Sequence, residues 1–172
     1  ASGTPIYNCN LAKTEHAAYL LVVNRGAVAG VNYGHSVYEY KNGTWSILLN
    51  NYVEPNATQT GIVGLDIEAE ENGTLYILTS DDAVTSGVYN LRLKKYDPVT
   101  KQWSTVGGNP LPLDFKTSTS TSVAISIAPD GTPFVAYRDE QDQDYPKVIY
   151  LDNETKQWSD PHKLADIASS NL

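Results

Sequence analysis

A short pattern occurs three times in this chain and constrains its fold more than any other feature. Each copy ends a predicted strand in tyrosine, crosses a polar turn and opens the next strand with tryptophan; the copies span residues 40–45, 96–103 and 150–158. Successive tryptophans lie 58 and 55 residues apart, which is too long for a hairpin and suits a four-stranded module. The repeat therefore predicts an all-β chain of about three similar antiparallel modules.

Composition supports a folded, strand-rich protein. The 172 residues are 41% hydrophobic and 19% charged, and 12 tyrosines and 3 tryptophans favour strands. The net charge of −8 argues against a nucleic-acid partner, which would need a clustered basic surface, and against an anionic membrane surface. The longest apolar run, Ala17 to Val23, is too short for membrane insertion and predicts a buried strand.

The start of the chain and its sequons suggest a secreted or cell-surface protein. The first residue is not methionine, so we interpret the chain as a mature or excised piece. Three of the four N-glycosylation sequons lie in predicted tight turns, where the backbone conformation favours asparagine. Real glycosylation is the alternative. The sequons are at Asn42, Asn56, Asn72 and Asn153. The single cysteine, Cys9, cannot form an internal disulfide and is expected to be a small buried hydrophobe.

Alignment on the repeated pattern divides each module into four short strands. The predicted strands are 18–23, 27–31, 37–40 and 45–49 in the first module, 65–69, 75–78, 89–96 and 103–106 in the second, and 123–127, 134–137, 147–151 and one opened by Trp158 in the third. The modules then cover about 17–50, 64–107 and 122–165 of a single region, and residues 1–16 hold an extra strand or a linker.

These modules resemble the blades of a β-propeller from about Ala17 onward. The stretch Tyr96 to Trp103, which reads Tyr-Asp-Pro-x-Thr-x-x-Trp, is similar to blades of the kelch and galactose-oxidase group. A kelch blade ends its second strand in a Gly-Gly pair, whereas Gly107-Gly108 follows the tryptophan here. The turn from Lys41 to Trp45 matches a sialidase-type blade only in part, so the resemblance implies the architecture without a subfamily.

Three blades cannot close a ring, because propellers have about four to eight. The chain is therefore expected to be half of a six-bladed ring, as a homodimer, or a part of a larger propeller; a non-propeller β fold is the remaining alternative. Open blades would leave unpaired strand edges, which promote association. The strand-like stretch 5–11 could complete a blade of a neighbour or of the same ring.

The repeated aromatic residues are expected to occupy equivalent positions and to pack between blades, with sugar-stacking platforms as the alternative. They are the tryptophans Trp45, Trp103 and Trp158 and the tyrosines Tyr40, Tyr96 and Tyr150.

The connections that differ among the modules predict a binding face; they are the predicted loops 32–35, 80–87 and 138–145 and the two linkers between modules. The Asn-Gly and Asp-Gly turns of the opposite face are short and suggest a structural role. Variable loops on a repeated scaffold often carry binding sites, and solvated loops without a ligand are the alternative. The candidate ligand-binding residues on the variable-loop face are Tyr33, His35, Asp81, Asp82, Arg138, Asp139 and Asp142.

Signals for metal or catalytic chemistry are weak, and no cofactor or catalytic residue is predicted. Residues 138–144 alternate carboxylates that could gather around Ca²⁺, but they lack the glycine and terminal glutamate of an EF-hand loop, so a solvated acidic loop is preferred. The three histidines have no metal-ligand spacing, and nucleophile and nucleotide motifs are absent. A retaining glycosidase would need two close carboxylates, for which the candidates are Asp66, Asp81, Asp139 and Glu140.

The sequence thus favours an extracellular, non-catalytic binding module. It would recognise a glycan, as a lectin does, or a protein, through several sites that add avidity. The alternatives are a portion of a propeller enzyme, such as a glycosidase or lyase, and a structural segment that binds partners by strand pairing.

Overall fold

A computed structural model describes residues 6–28, 31–53, 62–85, 88–108, 110–112, 123–139, 142–143 and 145–163. Within these residues the chain forms three four-stranded antiparallel sheets, each built from consecutive strands. Among the same residues, no helix is long and apolar enough to cross a membrane.

Each sheet is a simple meander. The first contains β1 (Ile6–Lys13), β2 (Ala18–Val28), β3 (Val31–Lys41) and β4 (Thr44–Tyr52); the second contains β5 (Ile62–Ala69), β6 (Leu75–Thr85), β7 (Val88–Asp97) and β8 (Gln102–Thr105); the third contains β9 (Val123–Ile127), β10 (Pro133–Asp139), β11 (Tyr145–Tyr150) and β12 (His162–Lys163). We call the end with the first and third turns of each sheet the hairpin end, and the opposite end, with the β2–β3, β6–β7 and β10–β11 connections, the loop end.

The sheets pack face to face, and period-two alternation in the strands makes this possible. On β6, Leu75 and Ile77 pack toward the first sheet, whereas Tyr76 and Leu78 pack toward the third. One hydrophobic cluster therefore fills each junction, as between the blades of a propeller. The predicted fold class, three four-stranded antiparallel blades, is confirmed.

The innermost strands β1, β5 and β9 are joined by one carboxylate. Asp66 on β5 accepts hydrogen bonds from the side-chain amide of Asn10 on β1, at 2.6 Å, and from the backbone nitrogen of Ile125 on β9, at 2.8 Å. This bridge places the three modules side by side around their first strands.

The predicted strands of the first module are wrong in part. The first sheet begins with β1 at Ile6, so the segment interpreted as an extra strand or a linker supplies a regular blade strand. The predicted turn at 24–26 lies inside β2, because the Asn24 amide donates to Ser36 Oγ at 2.8 Å and to Asn51 Oδ1 at 2.7 Å and so is satisfied within the sheet.

Two predicted loops of the variable-loop face are also strands. Residues 32–35 lie in β3, where His35 pairs with Val23. The predicted loop 80–87 is mostly the paired ends of β6 and β7, which meet where Thr85 pairs with Val88. Polar residues suggested loops there, but their side chains find partners across the strands.

The short turns of the hairpin end follow the predicted turn chemistry. Asn42 and Gly43 connect β3 and β4 with φ values of 52° and 78°, as a two-residue type I′ turn requires. Asn72 Oδ1 accepts the Thr74 backbone nitrogen at 2.7 Å, and Asn153 donates to Thr132 Oγ1 at 2.8 Å. The sequon at Asn56 lies outside the described residues.

The repeated aromatic positions are equivalent in two modules and shifted in the third. Tyr40 pairs with Trp45 and Tyr96 with Trp103, but Leu151 occupies the matching place opposite Trp158. The third copy of the pattern has one extra residue before its turn, so the equivalence proposed for Tyr150 is wrong. The Tyr150 ring instead lies 5.5 Å from Phe134 and 6.1 Å from His162.

Packing between blades is confirmed for two of the three tryptophans. The indole of Trp103 donates to the Leu48 carbonyl on β4 at 3.2 Å, and that of Trp158 donates to the Gly107 carbonyl, just after β8, at 2.9 Å. Trp45 is 51% exposed, because the described residues place no sheet in front of the first one. Cys9 is exposed on the same side, opposite Val22, so its predicted burial is wrong.

Candidate functional site

Predicted ligand residues meet at the loop end of the junction between the first and second sheets. His35 and Asp81 are both buried there, and Tyr33 packs at the edge of the same hydrophobic cluster. Tyr52 lies 5.2 Å from the His35 ring, between ring centroids, and its hydroxyl accepts a hydrogen bond from Lys94 Nζ at 3.1 Å. The junction thus contains a polar cluster that is largely shielded from solvent.

A buried ion pair anchors this cluster. Arg92 Nε donates to both carboxylate oxygens of Asp81, at 3.0 and 2.8 Å, and both side chains are at most 4% exposed. The one Nε–H group is shared between the two oxygens, and this charge-assisted hydrogen bond holds the two buried groups of opposite charge together. Asp82 also belongs to β6, but its side chain lies outside the described residues.

The other predicted carboxylates pair with lysines of the third sheet. Lys147 Nζ lies 2.7 Å from buried Asp139 and 3.1 Å from Asp142, and Lys163 lies 3.7 Å from Asp142. The hydrogen bond that Lys147 donates to Asp139 raises the pKa of Lys147, and the one that Lys147 donates to Asp142 lowers the pKa of Asp142. In the described part of the chain no cluster of three metal-ligating side chains forms, and Glu140 and Asp144 lie outside that part.

These pairs repeat at one position in every sheet, between the second and third strands. They are Asn24–Ser36 at 2.8 Å, Asp81–Arg92 at 2.8 Å and Asp139–Lys147 at 2.7 Å. Sequence reasoning selected both carboxylates but missed Arg92 and Lys147. Their position four residues before Tyr96 and Leu151 is the signal that could have revealed them.

Arg138 is separated from the other predicted residues. It lies on the outer face of the third sheet, where it lines a shallow depression of about 370 Å³ with Ala124, Ala136 and Pro146. The structure therefore brings Tyr33, His35 and Asp81 to one junction and does not bring Arg138 to it.

A cleft opens between the first and second sheets at the hairpin end. We call it the first cleft: it measures about 500 Å³ and is lined by Tyr19, Glu39, Lys41, Ser46, Asn72, Tyr96, Pro98 and Lys101, among others. Burial raises the pKa of Tyr19, which donates a hydrogen bond to Glu39, and burial beside the same carboxylate raises the pKa of Tyr96. Both phenols therefore stay protonated at neutral pH and can donate.

An equivalent opening, the second cleft, lies between the second and third sheets. It measures about 320 Å³, and its lining includes Tyr76, Lys95, Gly131, Leu151, Asn153 and Lys156. The strand registers place Tyr76 where the first cleft has Tyr19, and Lys95 where it has Glu39. The two clefts therefore share a geometry but differ in charge.

Sequence reasoning missed both clefts because it treated the hairpin end as structural. A signal was present: Lys101 and Lys156 each begin a Lys-Gln-Trp run, with φ values of 56° and 58°. This left-handed conformation sets each lysine in the turn beside its cleft.

Comparison with known proteins adds evidence on the fold. No protein-family model matches the chain, and no curated protein matches it. A solved structure of a Hadza microbial sialidase, Hz136, is 10% identical with a TM-score of 0.60; the match covers 92% of this chain and 33% of that one. A fucose lectin from Kordia zhangzhouensis, solved with methyl-fucoside, is 14% identical with a TM-score of 0.52; the match covers 87% of this chain and 96% of the lectin chain.

At such low identity these likenesses concern the fold alone. The chain spans about a third of the sialidase chain and nearly the whole of the lectin chain. Together with the sheet topology, they define the chain as three blades of the β-propeller class, without support for a kelch subfamily.

Proposed function

We propose that this chain is a non-catalytic carbohydrate-binding module of an extracellular protein, and that the first cleft is its main sugar site. The observation that carries the proposal is the repeated cleft between blades, lined by neutral phenols, amides, ammonium groups and one carboxylate. Repetition of such a cleft on a rigid scaffold suits multivalent binding.

The lining of the first cleft suits a hydroxylated ligand. Glu39 can accept hydrogen bonds from sugar hydroxyls while Tyr19 holds its carboxylate in place. Lys41 and Lys101 are exposed and can donate to ring or hydroxyl oxygens. Pro98 and Leu48 supply apolar contact for the C–H groups of a sugar ring, and the cleft size matches that of small-ligand sites.

The described lining argues against hydrolysis by a pair of carboxylates. Most retaining and inverting glycosidases use two carboxylates across the scissile bond, whereas sialidases use a tyrosine nucleophile. Glu39 is the one carboxylate in the described lining of the two clefts. The solved relatives, one a sialidase and one a lectin holding methyl-fucoside, are consistent with sugar recognition on this fold.

A glycan array followed by calorimetry tests the proposal. Glu39→Gln should weaken the selected sugar about tenfold or more, because a hydrogen bond to a charged group contributes about 1.5–3 kcal/mol. Lys101→Ala should weaken it less, and Lys13→Ala, an exposed change outside both clefts, should leave the affinity unchanged.

Variants at the loop end distinguish the two locations. If Asp139→Asn and Asp142→Asn abolish binding while the Glu39 variant binds normally, the site is the variable-loop face that the sequence predicts. Absence of binding to every glycan would retire the sugar version and leave protein recognition as the remaining form of the module.

A further inference from the structure

The two outer sheets each leave one face without a neighbouring sheet among the described residues. We call the face toward the preceding sheet the front face and the one toward the following sheet the back face. The front face of the first sheet carries an apolar row across all four strands, Leu11, Leu20, Tyr38 and Ile47, with Tyr40 and Trp45 beside it. Leu11, Tyr40, Trp45 and Ile47 are between 41% and 58% exposed.

The back face of the third sheet is also apolar and has smaller side chains. One row across its four strands is Ala124, Ala136, Val148 and His162, and Phe134 and Tyr150 lie beside it. The matching row of the first sheet, Asn10, Leu21, Val37 and Leu49, packs on the second sheet. The back face of the third sheet thus has the same arrangement as the back face of the first sheet, which packs on the following blade.

The tryptophan hydrogen bonds at the internal junctions indicate how the front face and the back face fit together. At both internal junctions an indole donates to a carbonyl of the preceding module. The acceptors are Leu48 on β4, three residues after Trp45, and Gly107 just beyond β8, four residues after Trp103. The described part of the chain offers no acceptor to the Trp45 indole. The same spacing after Trp158 points to the carbonyl of Pro161 or His162 in another copy of the chain as its expected acceptor.

We propose that the front face of one copy of this chain docks onto the back face of a second copy, and that two copies close a six-bladed ring. The contact joins different faces, so it repeats head to tail and ends only when a ring closes. Two copies of three blades make six, within the usual range of about four to eight, whereas three copies exceed it.

Solution mass and paired variants test the proposal with the full 172-residue chain. Light scattering should give twice the 18.8 kDa of one chain. Trp45→Glu and Phe134→Asp, on opposite faces, should each give a monomer, and Val99→Asp, at an 88% exposed turn residue, should keep the dimer. Leu11→Asp, at a 58% exposed front-face residue outside both clefts, provides a second front-face variant if circular dichroism shows that Trp45→Glu does not fold.

Mixing the two face variants separates this contact from its alternatives. A Trp45→Glu chain keeps its back face and a Phe134→Asp chain keeps its front face, so their mixture should recover a dimer through one intact junction. A front-to-front dimer would still form in the Phe134→Asp variant but would not form between the two variants. That result overturns the proposal. A monomeric unaltered chain overturns it too, and would assign these faces to further blades of a longer polypeptide.

The single cysteine provides an independent readout. Cys9 lies on the front face, so a maleimide should react slowly with it in the unaltered protein and rapidly in the Trp45→Glu monomer. Equal rates would contradict docking at this face. Both clefts lie within one copy, so loss of the dimer leaves each sugar site intact and the two proposals can fail separately.

Discussion

The indole nitrogen of Trp158 donates a hydrogen bond to the Gly107 carbonyl oxygen, 2.9 Å away, and the ring lies directly over that glycine. Gly107 has a φ of +70°, and a Cβ added there would lie 2.3 Å from Trp158 Nε1. The third sheet therefore docks on the second through a contact that requires a bare backbone.

Gly107→Ala should destabilise the protein by about 2–4 kcal/mol, because a methyl group collides with the indole and the backbone is strained. Gly43→Ala is the matched control: its φ is +78°, but nothing lies within 4 Å of the added Cβ, so only the strain of about 1 kcal/mol remains. Urea denaturation followed by circular dichroism measures both changes. Equal losses would show that crowding against Trp158 is unimportant.

Asp81→Ala should lower the free energy of unfolding by about 3–5 kcal/mol, because it leaves the buried Arg92 guanidinium without its carboxylate. Lys163→Ala removes a side chain that lies 3.7 Å from Asp142 at the surface, and should cost less than about 1 kcal/mol. Denaturation of both variants under one set of conditions gives the comparison. A small effect of Asp81→Ala would mean that water reaches this junction.

Asp66→Ala should weaken both sheet junctions at once, by about 2–3 kcal/mol in total, because its carboxylate accepts hydrogen bonds from Asn10 and Ile125. Asn10→Ala breaks only one of these bonds and should cost about 1 kcal/mol. The denaturation midpoints of the two variants test this order, and a larger loss from Asn10→Ala would contradict the bridging role.

Acid should destabilise the fold through two turn carboxylates. Backbone hydrogen bonds, from Thr100 to Asp97 and from Thr155 to Asp152, lower the pKa of each carboxyl group. A lowered folded-state pKa adds stability that is complete above the unfolded pKa of about 3.9 and is lost as the pH falls through the folded-state value.

The double variant Asp97→Asn with Asp152→Asn keeps an acceptor oxygen but cannot titrate. Its melting temperature should therefore fall less steeply than that of the unaltered protein between about pH 4 and pH 2. Thermal melts at closely spaced pH values measure both slopes. Parallel curves would show that other carboxylates cause the acid sensitivity.

Much of the fold was predictable because it is encoded locally. Turn residues such as Asn42-Gly43 and the alternation along Phe134 to Arg138 report on neighbours a few residues away, and the repeated Tyr-turn-Trp pattern reveals the modules. Prediction was wrong where a polar residue is satisfied by a distant partner: Asn24 and Asp81 signal loops by composition, but Ser36 and Arg92 hold them in strands.

The sequence by itself determined most strands, most turns and the period of the modules, since these depend on backbone preference and side-chain alternation within short segments. Only the tertiary structure decided where the sheets meet, because Tyr19 and Tyr96, which form one cleft, are far apart in the chain. The exposure of Trp45 was likewise decided there, because the described residues place a preceding sheet against Trp103 and Trp158 but none against Trp45.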